Sequence, residues 1–352
     1  MSYDVELVNR ILKRAREDVL AELTRILEVR RQTGYGPLYD LVADYPFREG
    51  KFIRPALVFA ACRAASGRTE QALLSATALE LFHNAALTFD DVEDDSYYRR
   101  GKVTISEAKG ESVAINVGVA TNVLCLGALL GNTHVVGVRK ALLILSEVER
   151  MSRESAEGQA IELGWIADSR FDLSDRDYMR MAYKKTCWYT VIAPLRIGVI
   201  CGSQNGPLAP VEDELTQLIE LGFLAGIAFQ TADDLLNLEA DENVYGKESS
   251  GDLWEGKRTV MLLHFLRTAG NSDRERALKV LRTPRRQKSK SDVSWLLDAM
   301  IKAGSLKHGR ALATEYSERA LEVDQRGLPF LGDGEDRRFL REMLCYVIDR
   351  VK

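Results

Sequence analysis

Apolar residues return at three- and four-residue steps along almost the whole chain, and this pattern restricts it to stacked helices. Residues 4–30 show it plainly. Val5, Leu7, Val8, Ile11, Leu12, Val19, Leu20, Leu23, Ile26 and Leu27 share one face, with charges between them. The same period recurs through 70–90, 112–130, 139–163, 175–200, 211–238, 257–268, 291–303, 306–322 and 335–351. Alternating β-branched runs are scarce, and breaks fall at polar or Gly/Pro clusters at 33–37, 203–210 and 327–334. The expectation is an all-α protein of about ten or more helices around a central apolar group.

The 352 residues include only 8 prolines and no Pro/Gly/Ser-rich linker, so residues 1–352 read as one large domain. A formal net charge of −4 argues against a nucleic-acid surface. The basic cluster RTPRRQKSK, residues 282–290, reads as a solvated loop. Five cysteines without CxxC spacing favour buried thiols in a reducing compartment over disulfides or zinc. The charged N-terminus shows no signal-peptide core, and the expectation is a cytoplasmic protein. The segment from Ser112 to Val138 carries no Asp, Glu, Lys or Arg and is long enough to span a bilayer. Its Asn116, Thr121, Asn122, Asn132, Thr133, His134 and glycines favour a buried core helix instead, without stable membrane insertion.

Two acidic clusters interrupt this apolar order. Asp90, Asp91, Glu93, Asp94 and Asp95 end a Gly- and Pro-free segment, 70–94, that reads as one helix. On it His83, Leu87, Asp90, Asp91 and Asp94 form a single stripe. A helix C-terminus carries partial negative charge, so acids there are of the wrong sign. A solvated acidic turn is one explanation, and a bound cation that offsets both penalties is the other. The second cluster, FQTADDLLN, places Gln230, Asp233, Asp234 and Asn237 at i, i+3, i+4 and i+7 within an apolar helix. Such a polar face has no place in a core unless paired. Two such helices facing each other would form a metal-binding mouth, and all-oxygen ligands point to magnesium.

Cations flank these helices: GKFIRP (50–55), Arg99-Arg100, Lys185-Thr186, Lys247 and Lys257. Each alone is more often a surface charge. Together with a metal they are the equipment for holding a diphosphate. Glu80 and His83 also form the Glu-x-x-His spacing of di-iron bundles. That site needs a second copy, and Gly131, Met261 and Ser305 stand three residues before the other histidines.

These blocks, in this order, resemble the trans-prenyltransferases, the polyprenyl or isoprenyl diphosphate synthases. GKFIRP is similar to the family's Gly-Lys-x-x-Arg-Pro segment, and DDVEDDSYYRRG to its first aspartate-rich motif with the trailing arginines. EGQAIEL (157–163), KKTCWY (184–189), FQTADDLLN and YGKESSGDLWEGK (245–257) resemble the remaining blocks. The resemblance implies an all-α bundle of the isoprenoid synthase type with a central apolar cavity, usually a homodimer, and magnesium as three ions with the diphosphate bound. Asp90, Asp91 and Asp94 would bind metal from one side and Asp233, supported by Asp234, from the other. Arg99, Lys185, Thr186, Gln230, Lys247 and Lys257 would hold the allylic diphosphate. Lys51, Arg54, His83 and Arg100 would hold isopentenyl diphosphate. Asp90, Asp91, Asp94, Asp233 and Lys185 would carry the catalysis.

The sequence departs from that pattern at Asn237, Phe89, Val119 and Glu162, where many relatives carry Asp, His, Asp and Asp. Product length in the family is limited by side chains below the first motif. Ala85 and Ala86 are small there, and Phe82, roughly 12 Å below Asp90 along the helix axis, could form a floor. The expected product is C20, geranylgeranyl diphosphate, or somewhat longer. A class I terpene cyclase or a non-catalytic partner subunit are the alternatives. A cyclase's second motif needs Ser or Thr where Asn237 stands, and a partner subunit is expected to lose an aspartate motif; both motifs survive.

Overall fold

The computed structural model describes residues 3–203, 209–239 and 250–349, and among them the protein is almost entirely helical. The elements are α1 (Val5–Thr33), α2 (Gly36–Phe47), α3 (Ile53–Ala64), α4 (Thr69–Glu93), strands β1 (Tyr98–Arg99) and β2 (Lys102–Val103), α5 (Ile105–Lys109), α6 (Glu111–Val135) and α7 (Val138–Ala167). Then come α8 (Asp175–Ala182), a π-helical segment (Tyr183–Ile192), α9 (Ala193–Gly202), α10 (Ala209–Glu239), α11 (Gly251–Glu255), α12 (Val260–Thr268), α13 (Asn271–Arg282), a 3₁₀ turn (Arg285–Gln287), α14 (Lys290–Lys302), α15 (Ser305–Arg326) and α16 (Glu335–Asp349).

Side-chain caps start several of these helices. Asp4 accepts from the Leu7 amide at α1, Thr259 from the Leu262 amide at α12, and Ser174 forms a reciprocal capping box with Asp177 at α8. A continuous apolar core runs from Leu7 of α1 to Cys345 of α16. Within it α4 lies between α3 and α6, and α10 lies between α15 and the π-helical segment. The two acidic helices are thus both central, as their apolar flanks require.

Helix α3 escaped the periodicity because Ile53, Pro55 to Cys62 and Ala64 are all buried. A helix surrounded on every side shows no amphipathic period. In α6 the expectation of a buried helix needs correction. Ala114, Val117, Thr121, Leu124, Cys125 and Ala128 face inward, while Val119, Val123, Leu126 and Leu130 stand out, the last with 65% of its surface exposed. Glu111–Val135 and Asp213–Glu239 are each long and apolar enough to cross a membrane by length and composition.

The basic run 282–290 is not a solvated loop throughout. Arg285 is largely buried against Glu255, and the Lys288 ammonium donates to the Leu253 and Trp254 carbonyls.

The π-helical segment packs closer to its neighbours than side chains allow. A Cβ on Gly158 of α7 would lie 2.6 Å from the Lys185 Cα. On α10, one at Gly226 would lie 2.6 Å from the Cys187 Sγ, and one at Gly222 would lie 2.5 Å from the Ile192 Cγ1. Glycine is what lets these three backbones approach.

Candidate active site

A cavity of about 610 Å³ opens between α3, α4, the π-helical segment and α10. Its lining reads as the list of sequence candidates: Lys51, Arg54, His83, Asp90, Arg99, Arg100, Lys185, Thr186, Gln230, Asp233, Asp234 and Lys257. Leu87, Met181, Tyr189 and Phe229 supply apolar wall. The face at 230, 233, 234 and 237 on α10 is intact, because Asn237 lines the same cavity. Lys247 lies outside the described residues.

The stripe on α4 divides. His83, Leu87 and Asp90 face the cavity. Asp91 turns away, with 1% of its surface exposed, taking hydrogen bonds from the Tyr45 hydroxyl and from Arg99. Asp94 caps the C-terminus of α4 and receives the Lys257 ammonium at 2.6 Å. Burial raises the Asp94 carboxyl above its ordinary pKa, with Lys257 opposing and Glu255 and Asp90 adding to the rise.

The hairpin after α4 sets the two arginines apart. Its two-residue turn, Arg100-Gly101, has φ of 52° and 72°, the combination that suits a tight turn between twisted strands. Arg99 lies behind the motif on Asp91, 3.7 Å from Asp90. Arg100 instead reaches the Tyr45 carbonyl at 2.9 Å and covers Gly50, where a Cβ would lie 3.1 Å from the guanidinium carbon.

On the far wall Lys185 binds Glu162 and lies 3.5 Å from Asp90. Burial lowers the Lys185 pKa, but Glu162 and Asp90 outweigh it and the ammonium is held firmly charged. A relay orders the α10 face: Thr186 donates to Gln230 at 2.6 Å, and Gln230 donates to Asp234 at 2.6 Å. The Tyr178 hydroxyl donates to the other Asp234 oxygen at 2.8 Å. Burial raises the Asp234 pKa, those two hydrogen bonds lower it, and Asp233 and Glu162 raise it. Asp234 is therefore held by Gln230 and Tyr178, and both Asp233 and Asp234 lie on the cavity wall.

The remaining cations gather at the other end. The Arg54 guanidinium sits 4.3 Å over the Tyr189 ring and donates to Thr190. His83 stacks on the same tyrosine at 6.0 Å, and Lys51 donates to the Tyr346 hydroxyl at 2.8 Å. Glu80, with 2% exposure, faces Arg54 and Arg100 and binds Asn84; burial raises its pKa and the two arginines lower it. Periodicity gave no hint of Glu80, Tyr189 or Arg258 as wall residues. Arg258 adjoins Lys257 but is held by the Arg170 and Trp165 carbonyls.

Of the three chain-length candidates, Ala85 is wholly buried, and Ala86 and Phe82 are partly exposed outside this cavity's lining. Phe82 lies 6.3 Å from the Tyr189 ring. Among the described residues no three His, Cys, Asp or Glu side chains form a self-sufficient metal cage. Asp90 and Asp233 do offer hard oxygen donors to one shared cavity, which suits an ion that takes one or two carboxylates and completes its shell elsewhere.

Residues 37–300 match the polyprenyl synthetase family. The chain is 30% identical over 301 residues to the short chain isoprenyl diphosphate synthase of Methanothermobacter thermautotrophicus, covering 86% of each chain. It is 31% identical over 278 residues to the octaprenyl diphosphate synthase of Escherichia coli, covering 78% of this chain and 80% of that one. Among solved structures it is similar to the geranylgeranyl pyrophosphate synthetase of Pyrococcus horikoshii, with TM-score 0.80, 29% identity and 98% of each chain covered. It is also similar to the polyprenyl synthase of Caulobacter crescentus complexed with calcium and isoprenyl diphosphate, with TM-score 0.84, 26% identity, and 100% of this chain and 99% of that one covered. The chain belongs to the polyprenyl synthetase family and is a trans-prenyltransferase with the helical-bundle fold of the isoprenoid synthases.

Proposed function

We propose that the protein condenses isopentenyl diphosphate with an allylic prenyl diphosphate, in a magnesium-dependent reaction, to give a C20 product or a somewhat longer one. One observation carries this reading. Asp90 of α4 and Asp233 and Asp234 of α10 share a single cavity with two separate cation groups, and Leu87, Met181, Tyr189 and Phe229 give that cavity an apolar part. Asp90, Asp94 and Asp233 would hold the divalent ions, three with the diphosphate bound, and Asp91 and Asp234 would support them from behind. When bound, the ions supply positive charge to the departing diphosphate.

Lys185, Lys257 and Arg99, with Thr186 and Gln230, hold the allylic diphosphate at the aspartate end, and the family resemblance would add Lys247, which lies outside the described residues. Their charges favour cleavage of the allylic C–O bond, whose electron pair leaves with the diphosphate. Leu87, Met181, Tyr189 and Phe229 keep water from the allylic cation. Lys51, Arg54, His83 and Arg100 hold isopentenyl diphosphate so that its double bond attacks the cation. The condensed cation then loses a proton to the released diphosphate, and a new double bond forms.

A cyclase would have no use for Lys51, Arg54 and Arg100 on this cavity's wall, which supports condensation over cyclisation. Relatives named for products as different as geranylgeranyl and octaprenyl diphosphate leave the length open; the small Ala85 and Ala86 favour C20 or longer, with Phe82 as a floor beneath them. We place the enzyme in the cytoplasm as a homodimer formed through the exposed apolar face of α6. The test is incubation of purified protein with farnesyl and isopentenyl diphosphates and magnesium. Geranylgeranyl diphosphate or a longer prenyl diphosphate is the expected product. Recovery of unextended farnesyl diphosphate, or a hydrocarbon formed without isopentenyl diphosphate, would overturn the reading.

A further inference from the structure

The turn between α13 and α14 brings a second layer of charge to the cavity. Pro284 opens the 3₁₀ turn Arg285–Gln287, and the turn lies against α11 and the end of α4. Arg285 donates to Glu255 at 2.9 Å, and their side chains are 10% and 11% exposed. The other Glu255 oxygen receives the Lys257 ammonium at 2.7 Å. Lys257 in turn meets Asp94 at 2.6 Å. Arg285, Glu255, Lys257 and Asp94 therefore form a buried chain of alternating charge from the turn to the first aspartate motif. The Arg285 guanidinium also sits 5.5 Å over the Tyr97 ring, just beyond that motif. Lys288 fastens the turn by donating to the Leu253 carbonyl at 2.9 Å and the Trp254 carbonyl at 2.6 Å.

Lys257 is a flexible point charge on a long stem, so its position depends on what its neighbours hold. Glu255 alone could swing toward solvent, and a carboxylate clamped by a buried guanidinium cannot. We propose that Arg285 is a positioning residue of the active site, holding Glu255 so that Lys257 stays between the first aspartate motif and the allylic diphosphate. Arg286 beside it makes a similar pair with Asp95, two bonds of 2.6 Å, but its side chain is 64% exposed. Exposed pairs of this kind contribute little.

This assignment rests on the diphosphate role given to Lys257 above, and it is tested without turnover. Magnesium and inorganic diphosphate are titrated into the whole protein by calorimetry, and the kinetics of condensation are then read on the same samples. Arg285→Ala and Glu255→Gln are each expected to weaken diphosphate binding about tenfold and to raise KM for the allylic substrate more than they lower kcat. The double variant should be no weaker than the poorer single, because both act through one lysine, and Arg285→Lys should recover part of the loss. Arg286→Ala is the control and should stay within about twofold of the parent. Unchanged binding in Arg285→Ala, losses that multiply in the double variant, or an equal loss in Arg286→Ala would overturn the proposal. Should Arg285→Ala fail to fold, Arg285→Lys and Glu255→Gln still carry the comparison. Normal diphosphate binding without any condensation would instead count against the proposed function.

Discussion

At the scale of single residues, the closest packing in the site falls on glycines whose neighbours are themselves functional. A Cβ on Gly158 would lie 2.6 Å from the Cα and 2.8 Å from the Cβ of Lys185, so backbone rather than a movable side chain must yield. Gly158→Ala should therefore displace Lys185 and lower kcat/KM by about a hundredfold, the order expected for a misplacement near 1 Å. A Gly158→Ala enzyme with parental kinetics would refute the contact. Gly118 poses a second case. A Cβ there would stand 2.7 Å from the Phe89 ring, at the position where Phe replaces the family's usual His. Gly118→Ala should destabilise the protein by about 1–3 kcal/mol, and Phe89→Ala in the same chain should recover part of that loss in a chemical denaturation series. Additive losses would mean that the two residues do not meet. The sequence displays Gly158 within EGQAIEL, but a glycine's partner across a bundle leaves no mark on local pattern. The same holds for Asp91, whose place in the acidic run suggests a ligand while its contacts lie with Tyr45 and Arg99.

At the scale of elements, legibility follows amphipathicity. Helices α1 and α7 each have a polar face to contrast with a buried one, and their positions could be read directly. Helix α3 could not, being buried all round, and α13 could not, because NSDRERALKVLR turns apolar only in its second half. The segment 183–192 reads as helical within 175–200, but its π-helical winding, packed against Gly158, Gly222 and Gly226, leaves no mark on the apolar period. The acidic face of α10 was legible because four polar groups at one helical spacing admit few other uses. Contacts between elements also predict a pH response. His264 of α12 stacks on His308 of α15 at 4.5 Å, and Ser305 Oγ lies 3.0 Å from its Nδ1. Burial, then His308 and Arg267, lower the His264 pKa, while Asp175 opposes them. The unfolded chain binds a proton near the ordinary value of 6.5 and the folded chain resists it. Stability present above that value is therefore lost as pH falls through it toward the lower folded value. His264→Gln should flatten this slope, so that denaturation midpoints fall less than in the parent between about pH 7.5 and 5.5. Parallel slopes in the two proteins would show that His264 does not contribute.

At the scale of the whole molecule, the apolar surface left on α6 and α7 asks for a cover. Val119, Val123, Leu126 and Leu130 follow one another at steps of four, three and four on α6, each at least half exposed. Val138 and Leu142 extend the patch onto α7 with 63% and 60% exposure. A contiguous face of this kind on a folded protein marks an interaction site. The absence of Asp, Glu, Lys and Arg from 112–138 means that a partner need bring no complementary charge. A second copy of the same chain satisfies that condition by a two-fold axis, which places the patch against itself. This also explains why hydropathy alone could not separate a bilayer span from a core helix. On this reading the helix would be largely apolar on two faces, one meeting α4 and the other a second copy. Leu126→Glu with Leu130→Glu should put two carboxylates on each side of that axis, where like charges would face each other without water. Sedimentation of the parent is expected to report a dimer, and the double variant a monomer that keeps its helical circular dichroism. A parent that sediments as a monomer, or a variant that stays dimeric, would place the interface elsewhere. A parent recovered with membranes when cells are fractionated would give the patch to lipid instead.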